Sequence, residues 1–351
     1  MSLILCNYVI FMISSIIFVS FSLRQSYAFT RNHGTKARAK TSLALNRVLF
    51  ASEEISKTTD GQMHVYLNYD DYRSNHLYKV LKVNAGETFK AGVLGKGMTD
   101  EAKVLHIDDS VARVSVNTRD RNIAKAALKS KEVVKSICKQ ASGSFLSVSL
   151  GVTSSLQCNE IPPVDLLLAC PRPARLERLL PVIACMGIGR LILVGSSKVE
   201  KSYWGSQLFR KPQKVQNLLE EGLSQACCEY RVPEVVIERK LNHIFDAMDT
   251  LFPREQYRRV IAHPPRPSDA AVVPGESGLV PMRMTQLVPL EGDTRRLVVA
   301  IGPEGGWTAL ELQRFLSSSF LPVHAGPRVL RTDMAVPALL ALAHEYVALS
   351  R

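Results

Sequence analysis

Short apolar runs alternate with helical segments along the second half of the chain, and this alternation limits the possible folds more than any other feature. Buried strands are predicted at 166–169, 191–194, 235–237, 259–263 and 297–301, and helices at 175–186 and about 212–228. Strands that alternate with helices in this way form parallel sheets with right-handed crossovers. The sequence therefore predicts an α/β domain over residues 161–351, which begins at Ile161-Pro162-Pro163.

The preceding segment, residues 62–160, is rich in β-forming residues instead. Glycines at positions 86, 92, 95 and 97 punctuate its short β-forming runs, which favours a small β domain. A basic insertion over 119–140 interrupts this pattern and predicts an amphipathic helix, either a solvated surface helix or a contact for RNA. The net charge of +12 indicates a polyanionic partner only weakly, because residues 1–52 hold six Lys and Arg and no Asp or Glu.

Two glycine-containing loops lie close together near the end of the chain. The first reads Ile301-Gly302-Pro303-Glu304-Gly305-Gly306-Trp307, and the second reads Gly326-Pro327-Arg328-Val329-Leu330-Arg331-Thr332-Asp333. A helix is predicted after the first loop, with Thr308 as N-cap and Glu311 completing a capping box. Glycines at the carboxyl end of a strand allow a ligand to approach the backbone, and small ligands bind at that edge of open α/β sheets.

The pair of loops resembles the motifs of the ribosomal RNA small subunit methyltransferase E family, which belongs to the SPOUT class. The resemblance covers residues from about 62 to 350, and it departs from the family pattern at Ala325, where Leu is usual, and at Met334, where Thr is usual. It implies a parallel-sheet SPOUT domain with a C-terminal trefoil knot, in which the segment from about Leu321 threads behind the loop at 302–306. It also implies a PUA-like RNA-binding β-barrel over residues 62–160.

The resemblance further implies methylation of N3 of a uridine in small-subunit (16S-type) rRNA by a homodimer that uses S-adenosyl-L-methionine. The implied substrate is the rRNA or the assembling small ribosomal subunit, and the implied RNA contacts are Lys79, Lys82 and Arg328. The residues implied to bind the cofactor lie in the two loops and at one neighbouring strand end: His263, Ile301, Gly302, Gly305, Gly306, Gly326, Val329, Leu330 and Thr332.

The chemistry of the reaction suggests two candidate catalytic residues. N3 of uridine carries a proton on the Watson–Crick edge, so the base must be unpaired and must lose that proton. A cation beside O2 or O4 stabilises the resulting negative charge, and Arg331 is the candidate, although Arg331 and Arg328 could instead be structural, salt-bridged arginines. Glu304 is the candidate proton acceptor, or alternatively it fixes its own loop by accepting amide hydrogen bonds.

The amino terminus resembles a targeting sequence. The apolar run from Leu3 to Leu23, followed by Ser26-Tyr27-Ala28, predicts a signal peptide over 1–28, or alternatively an uncleaved anchor. The basic tract that follows predicts a transit-like presequence over 29–60. A signal peptide followed by such a presequence favours a plastid, with the mitochondrion as second choice. No membrane association is expected after its removal. The seven cysteines lack zinc spacing, so no metal site is predicted.

Two other functions remain open. One is a SPOUT methyltransferase that modifies another RNA position, such as a ribose 2′-hydroxyl. The other is a non-catalytic RNA-binding factor in ribosome assembly, which the departures at Ala325 and Met334 would fit. Binding of radiolabelled cofactor to the chain separates an enzyme from such a scaffold.

Overall fold

The computed structural model describes residues 47–68, 71–108, 146–152, 154, 156–157, 159–226, 230–265 and 281–351. All of them belong to one compact unit. The signal peptide and the basic helix at 119–140 fall outside the described residues, so those predictions are not tested. No helix in the described part is both long and apolar enough to cross a membrane.

The amino-terminal part is a six-stranded sheet with its own apolar core. The strands lie in the order β1-β4-β5-β6-β3-β2, antiparallel except for the pairing of β1 with β4. Phe50, Val65, Leu77 and Val148 are fully buried in its core. Because the pairing order begins at β1 and ends at β2 among the described residues, closure into a barrel stays a prediction. Its elements are β1 (Val48–Phe50), β2 (Ser56–Lys57), β3 (Gln62–Leu67), α1 (Tyr72–Asn75), β4 (Thr88–Val93), β5 (Gly97–Ile107) and β6 (Leu146–Val152).

Strands β1 and β2 correct the predicted presequence, which extends to residue 60. The amide of Arg47 donates to the carbonyl of Ser224 at 2.8 Å, and its buried guanidinium donates to the carbonyls of Ala91 and Thr99. Leu49 packs into the core of the second sheet. Residues 47–60 therefore belong to the folded unit. A three-residue strand such as β1 is too short to show an alternating pattern. It also follows directly on the basic tract, so the sequence gives no signal that a new element begins there.

The second sheet has seven strands in the order β11-β13-β10-β12-β7-β8-β9, and every pairing in it is parallel. The predicted parallel α/β domain is therefore confirmed. Its strands are β7 (Val164–Ala169), β8 (Arg190–Val194), β9 (Glu234–Glu238), β10 (Tyr257–Ala262), β11 (Met282–Arg283), β12 (Arg296–Ile301) and β13 (Leu321–His324). Its helices are α2 (Pro173–Met186), α3 (Gln207–Arg210), α4 (Pro212–Gln225), α5 (Leu241–Asp246), α6 (Met248–Leu251), α7 (Ala309–Ser317) and α8 (Thr332–Ser350).

Helices cover both faces of this sheet, which explains why its strands are apolar throughout. In β7, Leu166 and Leu168 pack on one side against α2, α4 and α8. Leu167 and Ala169 pack on the other side against α5, α6 and α7. Successive side chains of a strand point to opposite faces, so one strand serves two cores. The carboxyl ends of all the strands meet at one edge of the sheet.

A buried carboxylate fastens the strands at the opposite edge. Asp165 of β7 is 0% exposed and forms ion pairs with Arg190 at 3.0 Å and Arg296 at 2.5 Å. The hydroxyl of Tyr257 also donates to it, at 2.9 Å. These partners come from β8, β12 and β10, so one side chain links four strands.

We expect Asp165→Asn to lower the free energy of unfolding by roughly 2–3 kcal/mol, because two arginines lose their charged partner. Urea unfolding measures this loss. Glu160→Gln is the control, since Glu160 is largely exposed and pairs with Arg351 at the surface, where ion pairs stabilise little. Equal stability of the two variants would contradict the structural role of Asp165.

Candidate active site

A cavity lies at the carboxyl ends of β10 and β12, next to the loop that follows β13. Small ligands bind at this edge of parallel sheets. A smaller cavity adjoins it and is lined by Arg328 and His324 among others. Both loops predicted from the sequence contribute to the first cavity. Its lining consists of Ala262, His263, Pro264, Ile301, Gly302, Pro303, Glu304, Gly306, Trp307, Val329, Leu330, Thr332 and Ala335.

The first loop is a tight turn built over an indole ring. A methyl group at Gly302 would lie 3.1 Å from Nε1 of Trp307, so the backbone passes directly over the ring. Gly306 has a φ of +68°, and its amide donates to the carbonyl of Pro303 at 2.8 Å. Only glycine adopts this left-handed conformation without strain. Thr308 and Glu311 form the predicted capping box of α7.

Two cations from distant parts of the chain brace this loop. The carboxylate of Glu304 pairs with Arg175 at 3.0 Å and accepts a hydrogen bond from the amide of Arg172 at 3.3 Å. The ammonium of Lys198 donates to the carbonyl of Gly305 at 2.8 Å. Both partners of Glu304 lie outside its own loop, so these contacts hold the first loop to the start of α2. The role of Glu304 as a proton acceptor stays a prediction.

Lys198 provides a test of this bracing. We expect Lys198→Met to weaken cofactor binding about five- to tenfold, because the carbonyl of Gly305 loses a charged donor that fixes the loop. Lys201→Met is the matched control, since Lys201 is a nearby exposed lysine of the segment Lys201–Gly205. Isothermal titration with S-adenosylmethionine measures both. Equal affinities for the two variants would show that the loop holds its shape without Lys198.

The second loop is exposed and apolar on its outer side. Val329 is 73% exposed and Leu330 is partly exposed, and Met334 in the first turn of α8 is 54% exposed. Arg331 precedes α8, and its side chain is 64% exposed and pairs with Asp333 at 2.9 Å. Arg331 is not part of the cavity lining. A residue so exposed can reach a large substrate that docks over the cavity, but it does not contact the interior.

The structure brings together most of the residues predicted to bind the cofactor. Gly305 and Gly326 are the exceptions. A methyl group at Gly305 would meet Lys198 rather than the cavity, and Gly326 has a φ of +144° with open space around its α-carbon. Lys79 and Lys82, predicted to bind RNA, are exposed in the amino-terminal part between α1 and β4. The predicted cofactor residues that do line the cavity are His263, Ile301, Gly302, Gly306, Val329, Leu330 and Thr332.

Sequence reasoning missed the role of Trp307, which is buried beneath the first loop. Its Nε1 has no hydrogen-bond partner among the described residues. A buried donor without a partner costs free energy, so a ligand that accepts a hydrogen bond here would be stabilised. The glycine backbone over the ring and this free donor fit a ligand with both flat and polar parts, such as S-adenosylmethionine.

A cysteine beside the site is unreactive. Burial raises the pKa of the Cys170 thiol to about 12, and the negative charge of Glu304 contributes to the rise. The thiolate is the nucleophilic form of cysteine, so Cys170 is not a nucleophile at neutral pH. Within the described ranges, no three His, Cys, Asp or Glu side chains are grouped so that they could hold a metal ion.

Comparisons with known proteins agree with this geometry. The family model described as an RNA methyltransferase domain matches residues 159–344. The ribosomal RNA small subunit methyltransferase E of Treponema pallidum is 27% identical over 302 residues, which cover 85% of this chain and 90% of that protein. Ribosomal RNA small subunit methyltransferase E 1 of Borreliella burgdorferi is 22% identical over 280 residues, which cover 80% of this chain and 92% of that protein.

Among solved structures, the chain is similar to a ribosomal RNA small subunit methyltransferase E from Neisseria gonorrhoeae bound to S-adenosyl methionine. The TM-score is 0.51 at 19% identity, and the alignment covers 84% of this chain and 95% of that one. At this identity the likeness establishes the fold alone, and that fold agrees with the parallel-sheet domain that the sequence predicts. The trefoil knot stays a prediction.

Proposed function

We propose that this chain, which belongs to the RNA methyltransferase family, transfers the methyl group of S-adenosylmethionine to N3 of a uridine in small-subunit rRNA. The observation that carries the proposal is the convergence of the two glycine loops on one cavity at the carboxyl edge of the sheet. The two relatives described above are named as methyltransferases of small-subunit rRNA, and their names support this substrate class.

The cavity residues divide into a backbone cradle and a wall. The backbones of Gly302, Gly306 and Leu330 would hold the cofactor, and the free Nε1–H of Trp307 would donate to it. His263 forms the wall at the end of β10. The cofactor, when bound, supplies a methyl group on a sulfonium, so transfer is an in-line displacement that depends on positioning.

The remaining chemistry concerns the uridine. Its N3 would release its proton to solvent, and O2 and O4 would share the resulting negative charge. N3 would then form its bond to the methyl group as the bond between that methyl group and the sulfur breaks. The exposed guanidinium of Arg331 can approach an RNA base above the cavity and donate two parallel hydrogen bonds to its edge. Arg328, at the rim of the neighbouring cavity, would contact a phosphate. Lys79 and Lys82 would contact the RNA farther from the target.

The proposal includes a homodimer and a trefoil knot. Val329, Leu330 and Met334 expose apolar surface beside the cavity, and such surface favours a protein partner. A two-fold axis through this surface would bury the same residues of both chains. The knot would form where the segment from Leu321 to Arg331 passes behind the loop at 302–306. Light scattering should give the mass of two chains.

We also propose that the protein acts in a plastid, on the strength of the apolar and basic segments before residue 47. Residues 1–46 fused to a fluorescent reporter should enter the plastid of an alga with complex plastids, and replacement of Phe29 should block that import. Delivery to mitochondria, or a stable membrane-spanning product, would contradict this localisation.

The function is tested by mapping methylated uridines in organelle small-subunit rRNA, with and without the protein, by mass spectrometry. We expect one 3-methyluridine to disappear when the protein is absent. Loss of a ribose methyl group instead would favour the alternative SPOUT activity. An unchanged methylation pattern together with a subunit-assembly defect would favour a non-catalytic factor.

A further inference from the structure

A second and larger cavity lies at the same edge of the sheet. Its volume is about 370 Å³, compared with about 90 Å³ for the candidate active site. It is bounded by the loops that follow β8 and β9 and by the first turns of α7. None of the residues predicted from the sequence motifs to bind cofactor or RNA belongs to it. Its lining consists of Gly195, Ser196, Ser197, Arg239, Lys240, Leu241, Asn242, Phe245, Thr308, Leu310, Glu311 and Arg314.

Three cations line this second cavity. Arg239 and Lys240 directly follow β9, and their side chains are exposed, with no carboxylate of the described residues at ion-pair distance. The guanidinium of Arg314 is held in place: it lies 4.3 Å from the centre of the Phe245 ring and donates to Oδ1 of Asn242 at 2.6 Å. It also pairs with Asp246 at 3.6 Å, so Arg314 presents a flat guanidinium surface whose charge already has a partner.

The remaining wall supplies a free hydroxyl group and an apolar surface. Oγ of Ser196 is buried and has no hydrogen-bond partner among the described residues. Leu310 is 69% exposed at the mouth of the cavity. A methyl group at Gly195 would overlap the carbonyl oxygen of Arg239. The backbones of the loops after β8 and β9 are therefore in direct contact and form the base of the cavity. Cations, a hydroxyl and an apolar wall together suit a nucleotide.

The acidic residue in this lining is already satisfied. The carboxylate of Glu311 accepts hydrogen bonds from the amides of Ser197 and Thr308, both at 2.8 Å, and from the hydroxyl of Thr308 at 2.9 Å. Burial alone would raise the pKa of Glu311, but these donors lower it overall. These donors keep Glu311 ionised and hold its carboxylate against the amides of Ser197 and Thr308, and the two cations Arg239 and Lys240 outnumber this one negative charge in the lining.

The second cavity is connected to the candidate active site through shared loops. Glu311 joins Ser197 to Thr308, and Thr308 directly follows Trp307 of the first glycine loop. The next residue after Ser197 is Lys198, which donates to the carbonyl of Gly305. The same two segments therefore form a wall of the second cavity and brace the cofactor loop.

From these contacts we propose that the second cavity binds a nucleotide of the substrate RNA adjacent to the target uridine. Arg239 and Lys240 hold its phosphate, and the base lies against Arg314 and Leu310. Stacking of bases on arginine and apolar groups is tolerant of sequence, so the site orients the RNA rather than reading it. This inference rests on the proposed function.

The test is the salt dependence of RNA binding by the double variant Arg239→Ala/Lys240→Ala. Filter binding with transcribed small-subunit rRNA over a series of KCl concentrations gives the slope of log affinity against log salt. Each lost phosphate contact on single-stranded RNA should reduce this slope by about 0.7, so we expect a reduction of about 0.7 to 1.4 and roughly tenfold weaker binding at moderate salt. Affinity for S-adenosylmethionine should not change.

Arg351→Ala is the control, because Arg351 pairs with Glu160 ahead of β7, at the opposite edge of the sheet. Its slope should equal that of the unmodified protein. If the double variant has the same slope of log RNA affinity against log salt as the unmodified protein and still transfers methyl groups, this inference is overturned and the proposed function stands. Absence of methyl transfer by the unmodified protein would instead overturn the function.

Binding of free uridine 5′-monophosphate tests whether the second cavity binds a nucleotide within an RNA chain or a free nucleotide. Calorimetry should show only millimolar binding of the free nucleotide, because the second cavity contacts one unit of a longer chain. Micromolar binding that the double variant loses, with an unchanged RNA slope, would assign the cavity to a free nucleotide and overturn the RNA inference. The Arg239→Gln/Lys240→Gln variant repeats the test with side chains that stay polar.

Discussion

Replacing Arg331 with alanine is expected to reduce turnover about 100- to 1,000-fold, while affinity for S-adenosylmethionine changes less than about twofold. The guanidinium lies outside the cavity lining and its side chain is 64% exposed, so its loss leaves the cofactor cradle intact. It would stabilise charge that develops on the uridine only as N3 loses its proton. Single-turnover methyl transfer and calorimetry separate these two effects.

Arg331→Lys should recover little activity, because an ammonium cannot make the two parallel hydrogen bonds of a guanidinium. Loss of the ion pair with Asp333 should not affect folding, since exposed pairs stabilise little. Normal turnover in Arg331→Ala would remove the residue from catalysis. Dissociation into monomers with equally poor cofactor binding would make Arg331 a structural residue.

Gly306→Val should abolish binding of S-adenosylmethionine. The side chain would enter the cavity that Gly306 lines, and the φ of +68° is strained for a branched residue. Gly292→Val is the matched control, because Gly292 has a φ of +77° in a turn before β12 with open space around it. Both variants carry similar backbone strain, so thermal unfolding should shift similarly.

Calorimetry then distinguishes the two glycines. Gly292→Val should bind the cofactor like the unmodified protein, whereas Gly306→Val should show no heat of binding. Unchanged affinity in Gly306→Val would remove this loop from the site. Equal loss of affinity in both variants would point to general destabilisation rather than to a blocked cavity.

Local patterns predicted the elements of the larger sheet well. The apolar runs form strands because helices cover both faces of the sheet. Thr308 and Glu311 form the predicted capping box, which depends only on residues three positions apart. Such features depend on neighbouring residues, which the sequence displays directly. The strand β1 escaped prediction because three residues show no period, although they contribute to both cores.

The bracing of the candidate site could not be predicted from local patterns. Arg175 lies 129 residues before Glu304, and Lys198 lies 107 residues before Gly305. Only the fold brings the start of α2 and the loop after β8 to the first glycine loop. The second cavity escaped for the same reason, because its cations follow β9 and its apolar wall belongs to α7.

The most direct measurement is methyl transfer from S-adenosylmethionine, isotopically labelled in its methyl group, to transcribed small-subunit rRNA and to isolated small ribosomal subunits. Nuclease digestion and mass spectrometry then identify the labelled nucleoside. We predict labelled 3-methyluridine at one position with the unmodified protein, and none with Gly306→Val. Label in a ribose methyl group or in another base, or no label on either substrate, would contradict the proposed function.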